Sequence, residues 1–205
     1  MTRILIASTN PGKRVEIQEI LAELTCPLML PGELGLTLDV AETGLTYAEN
    51  AALKARAYTE EVRAAGLADI IVLADDSGLE VDALDGAPGL HSARYHPKPG
   101  AKDGDRRAYL LDNLRGLPRP WTARFRCAVA LINPRGEERF TEGVCEGEII
   151  STERGSNGFG YDPVFYLPER GLTMAELGSA EKNRVSHRAR ALQAALPILR
   201  EWVTE

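Results

Sequence analysis

Arg3-Ile4-Leu5-Ile6-Ala7-Ser8-Thr9-Asn10-Pro11-Gly12-Lys13 is the stretch that decides the fold class: an apolar run, turn residues, then the start of a helix. Arg3 to Ala7 reads as a strand, and beyond the turn Ile17, Ile20, Leu21 and Leu24 recur at helical spacing. Asn10 suits an N-cap, because its side-chain oxygen can accept from an otherwise unpaired N–H of the first turn. Pro11 suits the first helical position, where a missing N–H loses nothing.

Working outward, Thr46-Tyr47-Ala48-Glu49 is a capping box and predicts a helix from Tyr47 to Ala65, stopped at Gly66. Ile70 to Leu73 then reads as a buried strand. From Asp75 to Gly104 turn residues accumulate, so a long functional loop is expected, with Leu79 to Val81 as a further short strand. Arg106 to Leu114 reads as helix. Phe125, Cys127, Val129 and Leu131 alternate as in a strand that turns at Asn133 to Gly136 into a partner near Arg139 to Cys145. A glycine-rich loop over residues 155–163 precedes a strand from Val164 to Leu167, and the rest is helical, with Pro197 expected to kink or break it. Strands at both ends of the chain, separated by helices and one hairpin, predict an α/β fold: a mixed β-sheet with helices on its faces.

Composition narrows the function classes. With 205 residues and 44% hydrophobic side chains the chain can bury a core, as one domain of two lobes or as two domains. Thirty acidic against 24 basic residues, a net charge of -6, leave no electrostatic footprint for a nucleic acid polymer. Ile70 to Ala74 and Cys127 to Ile132, the longest apolar stretches, are too short to span a membrane, and Ile4 to Ala7 is too short for a secretory core. Cys26, Cys127 and Cys145 lack C-x-x-C spacing, which argues against a disulfide framework or thiolate zinc and fits a reducing cytoplasm. His91, His96 and His187 lack any H-E-x-x-H pairing, so a metal here is expected to be hard and oxygen-bound.

Three segments could carry chemistry. Ser8 to Lys13 places hydroxyls, an amide and a lysine at a helix start, where unpaired N–H groups and the positive dipole end attract phosphate. It is not a Walker A loop, since Ala7 and Arg14 stand where a glycine and a hydroxyl are needed, and a plain capped helix with a solvated lysine reads equally well. Asp75 and Asp76 end the apolar strand. In extended backbone they point to opposite faces, so one could bind metal while the other braces the turn; an Asx turn using both is the alternative. Glu42 with Asp76, and Asp75 as a further candidate, could hold Mg²⁺ through a few oxygens and several waters. Glu49 is explained by its capping place, and Lys54 reads as a surface cation or a phosphate contact.

Ser186-His187-Arg188 puts two cations in the first turn of the last helix, which costs about 0.3 to 1 kcal/mol each when exposed. A ligand with acceptor atoms would compensate, as would screening by salt. Phe159-Gly160-Tyr161-Asp162 offers an aromatic face beside a flexible backbone, suited to a planar ring or to one ring tucked into the core. Lys182 adds a cation nearby in sequence.

Taken together these blocks resemble the inosine triphosphate pyrophosphatase family, the bacterial dITP/XTP (non-canonical purine triphosphate) pyrophosphatases of the Ham1 type. The matching blocks, almost end to end, are Ser8-Thr9-Asn10 with Lys13, Glu42-Thr43-Gly44, Glu49-Asn50-Ala51, Lys54-Ala55, Ala74-Asp75-Asp76-Ser77-Gly78, Gly86-Ala87-Pro88-Gly89, Ser92-Ala93-Arg94-Tyr95, Gly158-Phe159-Gly160-Tyr161-Asp162-Pro163, Glu181-Lys182 and Ser186-His187-Arg188. The resemblance implies Mg²⁺-assisted hydrolysis of a purine nucleoside triphosphate between its α- and β-phosphates, giving a monophosphate and pyrophosphate. It also implies Glu42 and Asp76 as metal ligands and Asp76 as the residue that orients or deprotonates the attacking water; the choice of Asp76 over Asp75 rests on the family pattern. Substrate contacts are implied at Ser8, Thr9, Asn10, Pro11, Gly12, Lys13 and Ser77. Phe159 would lie against the purine face, with Gly160, Tyr161, Asp162, Lys182, His187 and Arg188 around it. The implied subunit is a single domain over residues 1–205, elongated and two-lobed with a cleft between the lobes, working as a cytoplasmic homodimer. A nucleotide-binding regulator without turnover, and a pyrophosphatase for methylated pyrimidines, are the competing readings.

Overall fold

The expected strand, turn and helix are present at the start of the computed structural model, which describes residues 2–204. Strand β1 (Arg3–Ile6) leads to helix α1 (Pro11–Leu21), and the Lys13 amide donates to the Asn10 Oδ1 cap at 3.1 Å. Strand β2 is Leu28–Met29. Helix α2 (Tyr47–Ala64) has the expected Thr46 cap, whose Oγ1 accepts from the Glu49 amide at 3.1 Å, but the Glu49 carboxylate accepts from the Leu45 amide at 2.6 Å, one residue ahead of the Thr46 amide that a capping box uses. Gly66 stands just past its end at φ +67, a left-handed conformation that glycine adopts without strain.

Strand β3 (Ile70–Val81) corrects the sequence reading, because it runs straight through Asp75-Asp76-Ser77-Gly78, where a loop or an Asx turn was expected. Sheet pairing overrides the local turn signal here: Leu79 and Val81 are fully buried, and both aspartates find cations while staying extended. Helix α3 (Asp103–Leu114) starts ahead of the predicted Arg106. The hairpin strands β4 (Trp121–Ile132) and β5 (Glu138–Ile149) extend beyond the predicted alternation, with the Asn133 amide donating to Glu137 O at 3.0 Å across the turn. Then come β6 (Phe165–Leu167), β7 (Leu172–Thr173), α4 (Ser179–Val185) and α5 (His187–Thr204), which continues through Pro197 rather than breaking.

The sheet has seven strands in the order β2-β1-β3-β4-β5-β6-β7. It is mixed, as predicted: β1 runs parallel to β2 and β3, whereas β6 is antiparallel to β5 and β7. Two compact units are built on it, one comprising the chain up to Asp76, Cys127–Gly143 and the chain from Arg188 on, the other Ser77–Arg126 and Val144–His187.

In the first unit the period-two alternation of the strands sorts side chains onto two faces. Ile4, Ile6, Ile71, Leu73, Val129 and Leu131 pack with Ile17 and Leu21 of α1 and Leu192, Leu199 and Trp202 of α5. Leu5, Val72, Ala74 and Ala130 pack with Ala51, Ala55, Tyr58 and Val62 of α2. Sandwiched on both faces, β1 and the first half of β3 read as continuous apolar runs. The second unit has one core, in which Leu79, Val81, Phe125 and Phe165 meet Leu110 and Leu114 of α3.

Candidate active site

In the first unit, three helices aim cations at the two aspartates of β3. Consecutive strand residues face opposite ways, so Asp75 and Asp76 enter different surroundings. Asp75, 2% exposed, accepts through Oδ2 from Lys13 Nζ of α1 at 2.9 Å and from Arg188 Nε of α5 at 3.2 Å. Burial alone pushes its carboxyl up, but Lys13, Arg188 and Lys54 overcome that and hold it far below the usual carboxylate range. Asp75 is therefore a fixed anion that braces α1 and α5.

Asp76 meets α2 instead. Lys54 Nζ donates to Asp76 Oδ1 at 3.2 Å and to Glu42 Oε1 at 3.0 Å, so one ammonium gathers both carboxylates. Asn50, buried on the same helix, donates from Nδ2 to Asp76 Oδ2 at 3.3 Å, and its Oδ1 accepts from the Gly44 amide at 2.8 Å. It thereby ties the turn that carries Glu42 to the strand that carries Asp76. Burial pushes the Asp76 carboxyl up against the pull of Lys54 and Lys13, aided by the nearby charges of Glu42 and Asp75. A partly desolvated carboxylate with a raised pKa is a better proton acceptor than an ordinary one.

Arg188 is 1% exposed and also makes a close ion pair with Glu16 of α1. The cost of cations at the start of α5 is thus met by two protein carboxylates, where a ligand or salt was expected to meet it. Cys127 lies against Asp75 at 3.9 Å; burial first, then the Asp75 charge, pushes its thiol up to about 12, so it is no nucleophile. Ser8, Thr9, Asn10, Pro11 and Gly12 form the turn into α1; Ser8 Oγ accepts from the Asn10 amide at 3.3 Å, and Thr9, Asn10 and Pro11 are exposed.

The second unit gathers Phe159, Gly160, Asp162 and Lys182. Lys182, 5% exposed, makes a close ion pair with Asp162, and its Nζ stands 5.0 Å from the centroid of the Phe159 ring. The Phe159 amide donates to Asp162 Oδ2 at 3.0 Å. Gly158 sits at φ +73, and a Cβ there would collide with Asp162 Oδ2, so only glycine allows this ion pair. Tyr161 is the ring tucked into the core: it is buried, and its hydroxyl donates to Ser92 O at 2.8 Å. Phe159 stays half-exposed. His187 is buried and stacks on Phe125, with centroids 4.7 Å apart and planes 15° from parallel. Ser77 follows Asp76 in β3 and opens this unit.

Sequence reading left Glu16, Asn50 and the double contact of Lys54 without roles. Asn50 lies beside Ala51, Ala52 and Ala55 on an apolar helix face, and Glu16 lies beside Ile17. A polar residue at a buried helical position is the signal that marks both, since a buried polar group needs a partner.

A lysine at a helix start and two carboxylates sharing a cation in one unit, and a glycine-rich loop carrying one ring in the other, are the polar features of this α/β protein with a mixed sheet. The chain belongs to the Ham1 family, whose sequence model matches residues 4–198. Among its relatives, the dITP/XTP pyrophosphatase of Geobacillus kaustophilus is 48% identical over 195 residues, 94% of this chain and 91% of that protein. The dITP/XTP pyrophosphatase of Synechocystis sp. is 44% identical over 204 residues, 98% of this chain and 96% of that protein. Among solved structures, a HAM1 protein from Coxiella burnetii matches with a TM-score of 0.86 at 40% identity, covering 98% of this chain and 100% of its own. The Staphylococcus aureus Ham1 protein matches with a TM-score of 0.83 at 37% identity, covering 98% and 99%.

Proposed function

We propose that this chain is a nucleoside-triphosphate pyrophosphatase that hydrolyses non-canonical purine triphosphates, dITP, ITP and XTP, to the monophosphate and pyrophosphate. The names of its relatives support the substrate class. The observation that carries the reading is the unequal treatment of adjacent aspartates: Asp75 is locked as an anion by Lys13 and Arg188, while Asp76 is left with a raised pKa beside Glu42. A protein that only bound a polyanion would gain nothing from a carboxylate pair there.

Glu42 and Asp76 fit Mg²⁺. They already share one cation, Lys54, and a set of a few carboxylate oxygens with room for water is what that ion takes. When bound there, Mg²⁺ supplies positive charge against the polyphosphate and makes water easier to deprotonate.

The residues of the chain do the rest. Lys13 and the start of α1 receive the phosphate tail. Asp76 takes the proton of the attacking water at its carboxylate, and Asn50 holds that carboxylate in place. For the base, Phe159 offers a face and Lys182 a donor. Hypoxanthine and xanthine carry an acceptor oxygen at C6 and adenine a donor amino group. A donor aimed at the C6 position leaves the adenine amino group unpaired, a mismatch worth about 10⁴ to 10⁵ in kcat/KM at its strongest. Cys26, Cys127 and Cys145 are all free and buried, which supports a reducing cytoplasm. The homodimer implied by the family resemblance is read by light scattering of the purified chain.

Initial rates of pyrophosphate release from dITP, ITP, XTP, dATP and dGTP with Mg²⁺ test the function. Fast release from the first three supports it; binding without release points to a regulator, and indifference to the C6 group points to another nucleotide class. Asp76→Asn is expected to lower kcat by about 10² to 10⁴, the usual worth of a general base, with KM little changed. Near-normal turnover at saturating Mg²⁺ would remove Asp76 from the mechanism.

A further inference from the structure

Helix α3 holds the glycine-rich loop at one point from both sides. Asp103 and Arg107 lie four residues apart, on one face of the helix. The Gly160 amide donates to Asp103 Oδ2 at 2.7 Å, and Gly160 O accepts from Arg107 Nη1 at 2.8 Å. The first bond fixes the peptide between Phe159 and Gly160, and the second fixes the peptide between Gly160 and Tyr161. Both side chains are themselves steadied, Asp103 by Arg106 and Arg107 by Glu153 at 2.9 Å.

This matters because the loop is intrinsically loose. Gly158 and Gly160 flank Phe159, both at positive φ, so its ring stands between two residues of high backbone freedom. Asp162 holds the Phe159 amide on one side. On the other side, the described contact that fixes the ring's following peptide is the Asp103 carboxylate. Tyr161, two residues on, is anchored in the core through Ser92.

We propose that Asp103 and Arg107 are positioning residues for base recognition: a two-pronged clamp that pre-sets Phe159 so that a purine stacks without first ordering the loop. The proposal rests on the reading of Phe159 as the base-stacking residue. Pre-ordering lowers the entropy cost of binding, so its loss is expected in KM and not in the chemical step.

The test measures kcat and KM for dITP in Asp103→Ala, Asp103→Asn, Arg107→Ala and Phe159→Ala, with melting temperature and near-ultraviolet circular dichroism to follow the fold. Asp103→Ala is expected to raise KM about tenfold, the size of one base–aromatic contact, with kcat within about twofold of the parent. Asp103→Asn keeps an oxygen able to accept from the Gly160 amide and is expected to recover most of the loss. Arg107→Ala follows Asp103→Ala in direction and serves where that variant does not fold. Raised KM in Phe159→Ala beside unchanged KM in both clamp variants, with only the melting temperature lowered, overturns the clamp alone. Unchanged KM in Phe159→Ala overturns the stacking reading, and the clamp's role with it.

Discussion

Arg188 holds together groups that the chain brings from far apart: Asp75 of β3 and Glu16 of α1 both meet its buried guanidinium. Burial would disfavour its charge, but Asp75 and Glu16 overcome that and hold its pKa above the ordinary arginine value. Removing Arg188 leaves the buried Asp75 carboxylate with Lys13 alone and takes from Glu16 its close cation. Arg188→Ala is therefore expected to lower unfolding stability by about 3 to 5 kcal/mol, measured by urea denaturation, and to loosen Asp75. A loss below about 1 kcal/mol would mean that Arg188 is not a brace and is available to a ligand. The sequence made half of this visible. Two cations at a helix start announce that something must compensate them, but the compensating Glu16 is 172 positions away, and nothing local connects the two.

At the scale of elements, capping chemistry was the most legible feature. Asn10 and Thr46 each place a side-chain acceptor where a helix start has spare donors, and both caps form as read. Strand β3 was misjudged because Asp75, Asp76 and Gly78 are turn formers in isolation, and only the pairing and the waiting cations keep them extended. The clamp of α3 on the glycine loop was invisible for the same reason: Asp103 and Gly160 are 57 positions apart. Its charge state gives a pH test. Burial disfavours the Asp103 carboxylate, but the Gly160 amide and Arg106 outweigh that and lower its pKa. A carboxyl depressed in the folded state adds stability that is present above the unfolded value of about 3.9 and is lost as pH falls through the lower folded value. The stability gap between the parent and Asp103→Asn is thus expected to be widest near neutral pH and to narrow between about pH 5 and pH 3. A gap that stays constant over that interval contradicts the lowered pKa.

For the whole molecule, the alternation of apolar side chains predicted the sheet and its helices, and the mixed seven-stranded sheet follows that reading. No helix among the described residues is long and apolar enough to cross a membrane. Its two units carry different sets of polar groups. One joins a pair of carboxylates through a shared lysine beside the capped start of α1, and the other places an aromatic ring next to a buried lysine. The central claim is that Asp76 directs water to the α-phosphorus of a purine triphosphate. Turnover of dITP with Mg²⁺ in ¹⁸O-labelled water, followed by mass spectrometry of the products, tests it most directly. The expected result is dIMP carrying one ¹⁸O beside unlabelled pyrophosphate, with both signals lost in Asp76→Asn; label in pyrophosphate, or release of orthophosphate and dIDP instead, would contradict it.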